Sequence, residues 1–97
     1  MNTRDQVAQA VFTAVDRLNE LLPAQEELPK DETVPISGSD GQLSSLHLAN
    51  LIVLTEEQLD SAGRPVSLLG RVVGTPSALA TLGSFIDYIA VLLRGSL

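Results

Sequence analysis

Three stretches of the chain place apolar residues at the spacing of one helical face. In the first, Val7, Ala10, Val11, Ala14, Val15, Leu18, Leu21 and Leu22 recur at intervals of three and four, with Asp5, Gln9, Asp16, Arg17, Asn19 and Glu20 mainly on the other side. This predicts a helix over roughly 4–22. Thr3 followed by Gln6 reads as a capping box, and Pro23 ends the pattern because the residue before a proline is pushed out of the helical region. The second stretch, Leu43 to Asp60, lacks strand-like alternation and is predicted as a helix from about Ser45 to Leu59 with Ser44 as its N-cap. Its near-continuous apolar middle, Leu51-Ile52-Val53-Leu54, predicts burial on more than one side. The last stretch, Leu82, Phe85, Ile86, Ile89, Ala90, Leu92 and Leu93, is a helix capped by Thr81 or Ser84 and closed by Arg94-Gly95.

Between these stretches the pattern breaks. Pro23 to Gln42 holds three prolines and two glycines, a connection long enough to be functional or partly structured, with Leu28, Val34 and Ile36 as the residues to pin it to a core. Residues 61–80 are interrupted by Gly63, Pro65, Gly70, Gly74 and Pro76, leaving room for a short third helix within 67–80. The expected fold is therefore all-α, with three main helices and a short irregular one in a single domain, residues 1–97.

Composition narrows the chemistry. At 97 residues the chain has length for one core, and with aromatics at 3% that core must be built from Leu, Val, Ile and Ala. The absence of cysteine removes disulfides, zinc-thiolate sites and a cysteine nucleophile together. A net charge of −6 argues against binding a phosphate backbone, so nucleic acid is not an expected partner. No segment approaches the 18 or so apolar residues that span a bilayer. With a polar, acidic N-terminus the expectation is a cytoplasmic monomer with no membrane contact. Most of the acidity lies early: residues 1–40 hold 3 basic and 8 acidic groups, residues 41–97 hold 3 and 4.

The informative motif is Gly41-Gln42-Leu43-Ser44-Ser45-Leu46-His47-Leu48-Ala49-Asn50, running on to Glu56-Glu57. It resembles the helix-two region of acyl carrier proteins, in which a long loop leads to Leu-Asp-Ser-Leu and then to an apolar helix closing with paired glutamates. The order of helices fits along nearly the whole chain. The resemblance implies an acyl-carrier-like bundle with 4′-phosphopantetheine attached to Ser45. It further implies that the chain is not itself an enzyme but a carrier, presenting an acyl or aminoacyl thioester to separate enzymes of fatty-acid, polyketide or related specialised biosynthesis. Its partners would be a phosphopantetheinyl transferase and the loading, condensing or transferring enzymes, met through Leu46, His47, Asn50, Glu56, Glu57 and Asp60.

One position departs from the family pattern. The aspartate before the modified serine is Ser44 here, which replaces the helix cap but not the charge that helps a transferase hold magnesium and coenzyme A. A degenerate carrier-like adaptor, unmodified and acting only by protein binding, is the competing expectation.

The residues also have plainer readings. A serine at a helix start is ordinarily a cap, and only the Leu-Ser-Ser-Leu context, the loop before it and the helix order favour attachment at Ser45. A lone histidine makes neither a triad nor a metal cage, and Ser45 and His47, two apart, do not face each other on a helix. No metal site is expected. Ser37-Gly38-Ser39-Asp40-Gly41 lacks the lysine of a phosphate loop and the spaced acids of a calcium loop, which leaves a turn.

Overall fold

The computed structural model describes residues 2–36, 43–73 and 76–95. The periodic stretches become α1 (Thr3–Asn19), α2 (Ser45–Ser61) and α4 (Leu82–Gly95), with a short α3 (Leu69–Val73) and 3-10 turns at Ala24–Glu26 and Pro76–Leu79. Among the described residues there is no strand, only an isolated antiparallel bridge between Pro35 and Thr81. The fold is all-α, and α3 with the second 3-10 turn falls in the window where a short third helix was expected. The turn predicted at Ser37–Gly41 lies outside the described residues.

Helix α1 is the shared wall, packed along both α2 and α4. Its buried face is Val7, Ala10, Val11, Ala14, Val15 and Leu18, the predicted stripe. Two details differ from the sequence reading. The cap is Asn2 rather than Thr3, with Asn2 Oδ1 accepting from the Asp5 N–H at 2.8 Å and Asn2 O from the Gln6 N–H at 3.1 Å. Asn is as good a cap as Thr and stands one residue earlier, which draws Thr3 into the helix. Gln6, freed from a capping box, accepts instead from Arg64 Nη1 at 3.0 Å.

The helix also stops short of 22. Asn19 turns its side chain onto the loop, donating from Nδ2 to Leu28 O at 2.9 Å and accepting at Oδ1 from the Leu28 N–H at 2.8 Å. The chain then tightens through Leu21 N–H to Leu18 O and Leu22 N–H to Asn19 O. Leu22 still reaches the core, whereas Leu21 is left 66% exposed.

The long connection is docked as its apolar residues foretold, with Leu28, Val34 and Ile36 all buried. It also closes the start of α4. The first N–H groups of a helix have no partner inside it, and here the loop supplies carbonyls: Leu82 N–H donates to Val34 O at 3.0 Å and Gly83 N–H to Glu32 O at 2.8 Å, while Ile36 N–H donates back to Ala80 O at 3.1 Å. Thr81 and Ser84 finish the job as a reciprocal box, Thr81 Oγ1 accepting from the Ser84 N–H at 3.1 Å and Ser84 Oγ from the Thr81 N–H at 3.0 Å. The loop lies so close that a Cβ on Gly83 would sit 3.0 Å from Glu32 O. Arg4 completes the junction, reaching Glu32 at 2.5 Å and Asp87 at 2.6 Å and so joining α1, the loop and α4. Asp87, unremarkable in the sequence, is one end of that bridge.

Helix α2 buries one face, not several: Leu51, Ile52, Thr55 and Leu59 turn inward, and Val53 is 42% exposed. The apolar run does not wrap the helix in protein because only α1 and α3 make substantial contact with it. Thr55, the one buried polar residue among those described, is satisfied by donating from Oγ1 to Leu51 O at 2.8 Å. Among the described residues no helix is long and apolar enough to cross a membrane.

Candidate functional site

The site predicted from the sequence is built on α2. Ser44 has extended backbone (φ −69°, ψ 166°) and caps the helix, its Oγ accepting from the His47 N–H at 3.2 Å while its carbonyl accepts from the Leu48 N–H at 2.9 Å. Ser45 is thereby the first residue of the helix, and it is exposed. Both serines are exposed, but the Ser44 hydroxyl is engaged with the backbone as the cap. Leu43, just before the cap, packs against the core.

The electrostatics at this end come from the backbone. The first turn of α2 carries no acidic side chain. Unpaired N–H groups and the helix dipole make such an end favourable to an anion by about 0.3–1 kcal/mol. His47 and Asn50, expected to meet partners, are half-buried.

The remaining predicted residues fall into two groups. At about 100° and 1.5 Å per residue, Leu46, Asn50, Val53, Glu57 and Asp60 lie within about 40° of one line along α2. Leu46 is 69% exposed, and Val53, Glu57 and Asp60 are exposed as well, so the line is an outward stripe, apolar toward Ser45 and acidic toward the far end. Val53 was missed in the sequence because it sits inside the apolar run; its spacing of seven from Leu46 and four from Glu57 is the signal that marks it.

Glu56 departs from the stripe. Its carboxylate accepts from the Leu68 N–H and, at 3.1 Å, from the Leu69 N–H. It is therefore a cap for α3 rather than half of an outward acidic pair. Between α2 and the chain that follows it lies an open groove of about 460 Å³ lined by Val53, Glu56, Glu57, Asp60, Pro65, Val66 and Ser67. Along the helix, Ser45 and Glu57 stand about 18 Å apart. The structure thus gathers Ser44, Ser45, Leu46, His47 and Asn50 at one end and the acids at the other. Among the described residues no group of three or more His, Cys, Asp or Glu is arranged to hold a metal ion. No protein-family model, no curated protein and no solved structure matches the chain.

Proposed function

We propose that this protein is a carrier of the acyl carrier protein type, bearing 4′-phosphopantetheine on Ser45 and handing an acyl or aminoacyl group to separate enzymes. The observation that carries the reading is Ser45 itself: an exposed serine at the first position of a 17-residue helix, directly after a serine whose own hydroxyl is committed to the cap. A phosphodiester there lies against the positive end of α2, with no neighbouring carboxylate in the first turn to repel it. When bound, the group supplies the thiol that a chain without cysteine lacks. The order of a long helix, a docked loop, a second long helix, a short α3 and a closing helix supports the acyl-carrier-like bundle.

The rest of the chain's part is positioning. Ser44 holds the helix start, Leu43 packs against the core just before it, and the α2 stripe of Leu46, Val53, Glu57 and Asp60 offers partners an apolar patch followed by negative charge. Charge of that kind mainly sets encounter rate and orientation with cationic enzyme surfaces. The fatty-acid, polyketide or related setting follows from the family resemblance alone.

Ser44, the cap that stands where the family pattern has an aspartate, favours a second reading, an unmodified adaptor that works through the same stripe. Intact-mass measurement separates the two. Incubation with coenzyme A, magnesium and transferases of broad and narrow specificity should add one phosphopantetheinyl unit, lost in Ser45→Ala. If no transferase adds mass to the folded protein, the carrier reading fails and the adaptor stands.

A further inference from the structure

Carboxylates outnumber cations twelve to six in this chain, yet one concavity is lined by half of the cations and, among the described residues, by no carboxylate, Glu32 and Asp87 meeting only Arg4 at its edge. It measures about 670 Å³, lies beside the start of α1, and is lined by Asn2, Thr3, Arg4, Gln6, Arg64 and Arg94. The three arginines come from three separate parts of the fold: α1, the segment after α2, and the last turn of α4.

How each guanidinium is held distinguishes them. Arg4 is already neutralised by Glu32 and Asp87 and serves as a brace. Arg64 donates from Nη1 to the amide oxygen of Gln6 at 3.0 Å, and Arg94 donates from Nε to the Ala90 carbonyl at 3.3 Å. Both acceptors are uncharged, so they orient the guanidinium without cancelling it. A guanidinium has five N–H donors in a fixed planar fork, and each of these two uses one in the bond just described. A fork of this kind matches the oxygens of a phosphate or a carboxylate bidentately, and two such cations lining one concavity favour an anion of more than one charge.

We propose that this concavity is a binding site for a small-molecule phosphate group, a diphosphate or phosphomonoester, with Arg64 and Arg94 as its principal ligands. It is not the Ser45 site. The 17 residues of α2 separate the two by about 25 Å, so the proposal stands or falls independently of the carrier reading.

The test is a titration of ¹⁵N-labelled protein at constant ionic strength with pyrophosphate, inorganic phosphate and acetate in turn. Pyrophosphate should give saturable shifts confined to the backbone of residues 2–6 and the neighbourhoods of Arg64 and Arg94, inorganic phosphate weaker ones, and acetate none. Shifts that fail to saturate, or that acetate reproduces, overturn the proposal without any variant. The doubly substituted Arg64→Gln, Arg94→Gln protein should bind pyrophosphate at least about tenfold more weakly. Arg17→Gln, at the other end of α1, should bind it as the native chain does. Equal weakening by Arg17→Gln would reduce the effect to overall charge and refute the site, and an unchanged thermal midpoint of each variant without anion shows that the loss is one of ligands rather than of fold.

Discussion

The bond pair between Asn19 and Leu28 makes a strong claim about what holds the long loop. Asn19→Ala removes both bonds at once and leaves the Leu28 N–H and C=O partly buried with no partner. A hydrogen bond contributes about 1 kcal/mol net, and leaving its partner unsatisfied in a buried position costs about 1–3 kcal/mol. Because this pair is only partly buried, water recovers some of the loss, and the expected total is about 2–3 kcal/mol. Against a whole-domain stability of about 5–15 kcal/mol that is a large fraction. In urea, with a slope of about 1 kcal/mol per molar, the midpoint should fall by about 2 M or more with the slope unchanged. Asn19→Asp is the control. It keeps an acceptor for the Leu28 N–H but sets a carboxylate oxygen against the Leu28 carbonyl, so it should recover less than half of the loss at neutral pH. The Leu28 amide should also exchange with solvent faster in both variants. A midpoint shift below about 0.5 M for Asn19→Ala would refute the reasoning and leave Leu28 burial alone as the anchor.

Other expected outcomes follow from the same structure. Alanine is favoured over glycine in a helix by about 0.8–1 kcal/mol, and Gly70 has open space for a Cβ, so Gly70→Ala should raise the thermal midpoint; at Gly83 the new Cβ meets the Glu32 carbonyl at 3.0 Å and Gly83→Ala should lower it. A rise at both sites would show that the loop yields to α4, and a fall at Gly70 would refute the helix-propensity argument there. The Arg4 guanidinium, by its side-chain bond, holds the Glu32 carboxyl below the usual range, and the Thr33 backbone and hydroxyl do the same for Asp31. A lowered folded-state value stabilises above the ordinary carboxylate range and the benefit disappears as pH falls through the folded value. The gap in urea midpoint between native protein and Arg4→Gln should therefore be widest above the ordinary carboxylate range and shrink as the pH falls below it, in low salt especially because the groups are exposed; a gap independent of pH would refute the bridge. On the carrier reading, Ser44→Asp restores both cap and charge and should speed transferase modification, whereas an equal initial rate would show that the missing carboxylate is not limiting.

Periodicity located α1 and α4, since each has a single buried stripe whose spacing survives in the primary structure, whereas α2 was read as a helix from its missing alternation. The start of α2 was legible to the residue because Ser44 is a side-chain cap with an unambiguous apolar pattern after it. What stayed hidden was set by pairings between distant positions. Asn19 looks like any polar residue on a wet face until Leu28 is brought beside it. The carbonyls of Glu32 and Val34 carry no sequence signal at all, yet they close α4. Glu56 and Glu57 are identical letters, and only the fold of residues 64–69 decides that one caps α3 and the other faces solvent. Val53 was concealed by its apolar neighbours, because a continuous hydrophobic run has no register to read. At the candidate site, Ser45 was proposed from its motif, and the stripe emerges only from the helix geometry.

The junction of loop and α4 bears on how the chain comes together in time. Arg4 and Asp87 lie 83 positions apart in sequence, and Arg4 also holds Glu32, whose carbonyl receives the Gly83 N–H. A helical protein ordinarily folds fast because its contacts are local, and closing a long stretch of chain must be achieved before a distant contact can reward it. Here the start of α4 is finished only when the loop, near the first third of the chain, meets residues near its end. Helices α1 and α2 can form their shared face early, while α4 waits for a partner synthesised long before it. Substitutions at Gly83 or Glu32 should therefore speed unfolding much more than they slow folding, marking this junction as the last part of the molecule to close and the first to open.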